Sequence, residues 1–391
     1  MSGLGTLSKF PREILDAILD ELCAHHVHTL LSPADPDPGE PQIHSETATR
    51  SCTAALASLC CTSKSLSHLN TWRLYRTLTD AAVPGTRWAL LARTLIGRPD
   101  LASLVSHFSV NNIDLISDPS EMPEEVTAYY LEMLRTTRVQ SPVFLSRQTL
   151  VGKAEQHDGK CLCQVNSTRS LLHSLFPALR TMKYALWVQY GYTHGLLSFP
   201  AGSLPSLREV ELYDIGGRRG EYDFAFLYEV GGLFQAAPEI EYLRIRHSYL
   251  SDVIVHICWD HDKDKCTKRK INKVTRLEIL ACWHKDGDLE HSLQVVPNVE
   301  TLVYRPREAD DMMDEVVNPV EMGLAILKVA PKLKRFELAL WYGRGCFDDE
   351  HDRNGYASSL REAKRVLEDN GIECDFSMRD PDSGGLYLPV E

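Results

Sequence analysis

One arrangement of apolar and polar positions recurs six times in the later chain, in "PALRTMKY", "PSLREVEL", "PEIEYLRI", "NKVTRLEI", "PNVETLVY" and "PKLKRFEL". Each copy opens on Pro or Asn, sets an apolar residue two positions later, and returns to an apolar residue after two polar or variable ones. The leading apolar residues are Leu179, Leu207, Ile240, Val274, Val299 and Leu333, spaced by 28, 33, 34, 25 and 34 residues. A weaker copy, "GIECDF", begins near Ile372. Alternation of this kind predicts a short strand with one buried face. Apolar segments with helical spacing stand upstream of most copies: "STRSLLHSLF", "FAFLYEVGGLFQAA", "VEMGLAILKVA" and "SSLREAKRVLED". Helix, break and strand in repetition predict parallel strands joined by crossovers. Units this short hide their apolar faces only by stacking on neighbours, so the expected architecture is an irregular α/β solenoid.

The N-terminal pattern is different. In "LSKFPREILDAILDEL", Pro11 suits the first helical position and Glu13 the positive end of a helix dipole. Ile14, Leu15, Ile18, Leu19 and Leu22 recur at helical spacing as one wide apolar stripe. "SPADPDPGEPQ" follows, with four prolines within nine residues, and predicts an exposed loop; the insertion is placed at Leu31–Arg50. Helical spacing resumes in "SCTAALASLCCTSKSLSHLNTWRLYRTL", with Leu56, Leu59 and Cys60 in one stripe and Leu66, Leu69, Trp72 and Leu78 in another. Ser63 or Ser65 serves as the cap between them. Three short helices form a small core, which calls for support from the rest of the chain or from a partner.

"FPREILDAILDEL", "LASLCCTSKSLSHL" and "LYRTL" together resemble an F-box: a hydrophobe–Pro pair, an Ile-Leu couplet, a Cys-x-x-x-Lys segment and a closing Leu-Tyr-Arg. The resemblance covers about a fifth of the chain and departs from the family pattern in the Pro-rich insertion. It implies docking on the Skp-type adaptor of a cullin–RING ubiquitin ligase, with Phe10, Pro11, Ile14, Leu15 and Ile18, and also Leu56 and Leu59, at the contact. The later repeats resemble a degenerate leucine-rich-repeat array, although only Cys282 stands where that family expects Asn or Cys. Such arrays are the target-binding half of many F-box proteins. The implied fold is α+β overall: a trihelical F-box-like domain at 1–80, a linking helix–strand unit at 81–170, and a leucine-rich-repeat-like α/β solenoid with a parallel sheet at 171–391. The implied function is a non-catalytic substrate receptor. The alternative is a repeat scaffold that binds proteins without a ligase, its first helices serving as a cap.

Composition narrows the picture. A net charge of -12 argues against a dedicated nucleic-acid binder and gives no attraction to an anionic membrane. No apolar run approaches the ~20 residues of a membrane span, and no secretory signal is visible, so the eleven cysteines read as reduced thiols of an intracellular protein. His256, Cys258, His261 and Cys266 are zinc-capable residue types, but their spacing matches no known finger and no metal or other cofactor is expected. "DDEHDRNG" fails as a calcium loop, because Arg353 and Ser359 stand where Gly and Glu are required, and reads as a solvated acidic loop. No phosphate-cradling Gly-rich loop, His-Glu-x-x-His or Gly-x-Ser-x-Gly is present, which turns the reading towards binding.

Overall fold

The computed structural model describes residues 11–17, 19–20, 43–79, 87–110, 175–186, 202–214, 236–246, 271–282, 288–306, 318–341, 350–379 and 387–389, with a few isolated positions besides. The chain divides into two units, Met1–Lys183 and Tyr184–Glu391.

In the first unit, helix α1 covers residues 12–17 and continues at 19 and 20. It starts where the Pro11 carbonyl accepts the N–H groups of Ile14 and Leu15. Helix α2 (Ile43–Thr62) and helix α3 (Lys64–Arg76) pack together and are separated by a single residue, Ser63. The Ser63 hydroxyl accepts the Leu66 N–H at 3.2 Å, so this serine is the cap and Ser65 is not. Strand β1 (Thr77–Thr79) follows at once, then α4 (Arg87–Gly97), α5 (Pro99–Ala102), β2 (His107–Val110) and the start of β3 (Thr181–Leu186). β1 and β2 run parallel, pairing Thr77 with His107 and Leu78 with Phe108. Leu95, Val105, Phe108, Phe176, Leu179 and Met182 are fully or almost fully buried, with the Phe108 and Phe176 rings 5.3 Å apart.

The second unit contains β4 (Glu209–Asp214), β5 (Tyr242–Arg246), a small antiparallel hairpin of β6 (Trp259–Asp260) and β7 (Lys265–Cys266), and β8 (Arg276–Cys282). Then come α6 (Asp288–Val295), β9 (Thr301–Pro306), α7 (Pro319–Val329), β10 (Arg335–Trp341), α8 (Glu350–Asp369), β11 (Glu373–Arg379) and β12 (Tyr387–Pro389). β4, β5, β8, β9, β10 and β11 lie side by side in that order, all parallel. The described chain is thus built from helices and mainly parallel strands.

The recurring sequence pattern has a recurring backbone cause. In four successive copies the fourth residue turns its carbonyl toward the next copy and accepts two N–H groups from it. Arg208 accepts from Glu241 and Tyr242, Glu241 from Thr275 and Arg276, Thr275 from Glu300 and Thr301, and Glu300 from Lys334 and Arg335, all at 2.7–3.2 Å. In the first unit the Ser106 carbonyl takes Arg180 and Thr181 in the same way. The alternating apolar residues then point to one side. Val210, Leu212, Leu243, Ile245, Leu277, Ile279, Leu302, Tyr304, Phe336, Leu338 and Phe376 are at most 2% exposed. Each such side chain contributes about 1.5–3 kcal/mol of apolar burial.

Local signals set the element ends. The Asn318 side chain accepts the N–H groups of Val320 and Glu321 at the start of α7, with Pro319 at the first helical position. α8 ends on Gly371, whose φ of 83° belongs to the left-handed region. There the Ile372 N–H reaches the Leu367 carbonyl and the Gly371 N–H reaches that of Glu368, a Schellman closure.

The structure corrects four expectations. Residues 43–50, assigned to the Pro-rich insertion, are the first turns of α2, because the last proline of that segment is Pro41 and nothing after it breaks a helix. Residues 350–355, read as an acidic loop, open α8, where acidic residues favour the helix N-terminus. The "LYRTL" segment leaves the helix after Arg76, and Leu78 is buried from a strand. β12 pairs antiparallel with β11, since the stretch from Arg379 to Tyr387 is shorter than the dozen or so residues a parallel crossover needs. α6 is a further helix beyond those expected, and its buried Leu289 and Leu293, four residues apart, are its signal in the sequence.

Candidate functional site

Arg73 of α3 ties down helix α1 through two of its carboxylates. Arg73 projects from α3 with its side chain only 3% exposed. Its Nε donates to Asp20 Oδ1 at 2.9 Å, one terminal nitrogen donates to Asp16 Oδ1 at 3.0 Å, and the other to the Leu69 carbonyl at 3.1 Å. The guanidinium also lies 4.3 Å from the centre of the Trp72 ring. A buried guanidinium is tolerable because carboxylates and a carbonyl satisfy its planar donors. Arg73 therefore fixes which way α1 faces.

That orientation sorts the residues of the sequence reading. Ile14 is 46% exposed and Pro11 is exposed, whereas Leu15 is 8% and Leu19 3% exposed. In α2, Leu56 is 2% exposed and Leu59 is half-buried. Leu15 and Leu56 are thus interior side chains of the described chain, and Ile14, Pro11 and part of Leu59 remain at the surface. Phe10 lies outside the described residues, as does the side chain of Ile18. Helical spacing alone does not separate Ile14 from Leu15, since an amphipathic stripe about half a turn wide includes both.

An open cleft of about 820 Å³ lies on the other side of α1. Arg12 and Asp16 line it, and they stand one helical turn apart on a single face. Ile14 is two residues from each, about 200° around the helix, and faces away. α3 contributes Lys64, His68, Leu69, Trp72 and Arg73, and the α5 region contributes Arg98, Asp100, Leu101 and Leu104. Trp72 is 37% exposed, and Lys64 and His68 are exposed. Arg98 meets Asp100 in a two-pronged pair at 2.6 and 2.8 Å, and these bonds raise the Arg98 pKa and lower that of Asp100.

A second polar constellation lies in the other unit. Glu211 on β4, Arg244 on β5 and Glu278 on β8 occupy one register line, and all three are under 10% exposed. Arg244 donates to Glu278 at 2.6 Å and to Glu211 at 3.4 Å, Arg246 donates to Glu211 at 3.3 Å, and Arg276 donates to Glu278 at 2.8 Å. Burial pushes the Glu278 carboxyl upward, but the Arg244 charge and the bonds from Arg244, Tyr242 and Arg276 outweigh it, leaving the pKa below its ordinary value. The alternation alone marked these positions as solvent-facing. Complementary charges on adjacent strands were the signal for their burial.

His256, Cys258, His261, Cys161 and Cys163 lie outside the described residues. Among the described residues there is no cluster of three or more His, Cys, Asp or Glu side chains suited to a metal ion. Cys52, Cys60, Cys61 and Cys374 are free thiols. Among the described residues no helix is long and apolar enough to cross a membrane. No protein-family model matches the chain, and no curated protein matches its sequence.

Proposed function

We propose that the protein is a substrate-receptor subunit of a Skp–cullin–F-box type ubiquitin ligase, with α1–α3 binding a Skp-type adaptor and the parallel-strand repeats of a leucine-rich-repeat-like solenoid binding a target protein. The observation that carries this reading is Ile14, an aliphatic side chain left 46% exposed on a helix held from behind by Leu15, Leu19 and Arg73. The hydrophobe–Pro start before it and the Leu-Tyr-Arg ending of α3 supply the family resemblance. A preset helix loses little conformational freedom on docking, which favours affinity. Function then follows from proximity: target and ligase held on one receptor meet at a raised effective concentration, and the receptor needs no catalytic group of its own.

The test is co-expression with a Skp-type adaptor. Ile14→Asp places a charge on the proposed contact while remaining compatible with the first turn of a helix. Recovery of the adaptor falls at least tenfold, with an unchanged circular dichroism spectrum. Equal recovery with the variant sinks the proposal.

A further inference from the structure

We propose that the cleft formed by α1, α3 and the α5 region is a docking site for a short acidic peptide segment carrying aliphatic or aromatic anchors, separate from the Ile14 face. Its volume of about 820 Å³ is that of a binding pocket, and its apolar lining is Leu69, Trp72, Leu101 and Leu104. Trp and Arg are the residue types that most often dominate binding energy. The Trp72 ring is half-exposed yet braced, with the Arg73 and Arg76 guanidinium groups 4.3 and 5.8 Å from its centre. A braced aromatic anchors a ligand with little loss of rotamer freedom.

Charge selects the occupant. Arg12, Lys64, Arg73 and Arg98 line the cleft against the carboxylates of Asp16 and Asp100, in a chain whose net charge is -12. Arg73 is neutralised by Asp16 and Asp20 and stays with the fold. Lys64 and His68 form no ion pair among the described residues. The Arg12–Asp16 pair is long, at 3.7 Å, and Arg12 is 76% exposed, so this pair holds Arg12 weakly. The Arg98–Asp100 pair is short but about 60% exposed on both sides. Exposed pairs of this kind are weak, and their cations exchange readily onto an incoming carboxylate. A nucleic-acid backbone is a poorer fit, because it requires a longer track of cations and gains nothing from an aliphatic floor. Acidic side chains on a peptide meet the rim, and its apolar residues meet Trp72 and the leucines. Because Arg12 and Asp16 face away from Ile14, this site stands independently of adaptor docking.

The experiment uses the full chain and a dye-labelled dodecapeptide in which glutamate pairs alternate with leucine and phenylalanine, followed by fluorescence anisotropy. The acidic peptide binds, and its affinity falls as salt rises. The same peptide with lysine in place of glutamate, and oligothymidine, both bind at least tenfold more weakly. Lys64→Glu with Arg98→Glu, and separately Trp72→Ala, weaken the acidic peptide at least tenfold with circular dichroism unchanged. Ile14→Asp leaves peptide binding intact whether or not it abolishes adaptor recovery, so the two readings fail separately. Equal binding of the lysine peptide or of oligothymidine, indifference to the Lys64 and Arg98 changes, or loss of peptide binding on Ile14→Asp overturns the proposal.

Discussion

Replacing Arg73 by Met keeps the aliphatic stem in place and removes only the guanidinium, so the change isolates the link between α1 and α3. Three hydrogen bonds disappear, to Asp16, Asp20 and the Leu69 carbonyl. Hydrogen bonds to charged groups are worth about 1.5–3 kcal/mol each when their partners stay buried. Here the partners do not stay dry: the Asp16 and Asp20 side chains are 36% and 61% exposed and regain water once the arginine is gone. Relief from holding a guanidinium that is 3% exposed works in the same direction. The net loss is therefore about 2 kcal/mol, well below the sum of three charged bonds. Leu15 and Leu19 remain buried, so α1 loosens before the unit unfolds. Hydrogen exchange followed by mass spectrometry reads this directly. At 1.4 kcal/mol per factor of ten, exchange in residues 12–20 accelerates about 30-fold while the amides of β8–β10 keep their protection. Unchanged exchange in α1 refutes the clamp; equal acceleration throughout the chain shows that Arg73 holds the whole molecule rather than one helix.

Two further outcomes follow from the buried polar groups. Burial, then the Arg76 and Arg180 charges, lower the His107 pKa from 6.5 to about 4, and its Nδ1 lies 3.0 Å from the Thr181 hydroxyl. The unfolded chain takes up a proton there that the folded unit refuses, so this stability is present above pH 6.5 and is lost as pH falls from 6.5 towards 4. Discounted because His107 is only partly buried, the displacement corresponds to about 2 kcal/mol. His107→Gln flattens that part of the urea-midpoint profile, and an unaltered slope shows that another group is responsible. Glu278→Gln leaves Glu211, at 3.4 Å, as the one carboxylate paired with Arg244 among the described residues, and costs about 3–5 kcal/mol in denaturant titration. A loss below about 1 kcal/mol shows that the Glu211–Arg244–Glu278 line is held by packing rather than by its charges.

The amino-acid order by itself determined the repeated strands. Pro or Asn, then apolar residues at alternate positions, is a local instruction, and every leading residue from Leu179 to Leu333 is buried as the period-two pattern requires. A cap at Ser63 or Ser65 was legible for the same reason, since a capping bond spans three residues, and the structure chose Ser63. Helix starts were less legible: Ile43–Arg50 and Glu350–Gly355 sit beside proline-rich and acidic text that resembles loop, yet each extends a helix whose packing lies further along. Only the tertiary structure decided which side chain of an apolar stripe is free. Ile14 and Leu15 are neighbours with the same hydropathy, and it is Arg73, more than fifty residues away, reaching Asp16 and Asp20 that accompanies one turned outward and the other inward. The same holds for Glu211, Arg244 and Glu278, which read as ordinary surface charges one strand at a time. Parallel pairing sets them in one line, and ionic groups that find opposite charges at hydrogen-bond distance can stay out of water. Period and capping act within a few residues and are written in the chain; exposure and charge pairing depend on partners tens of residues away, which only the fold brings together.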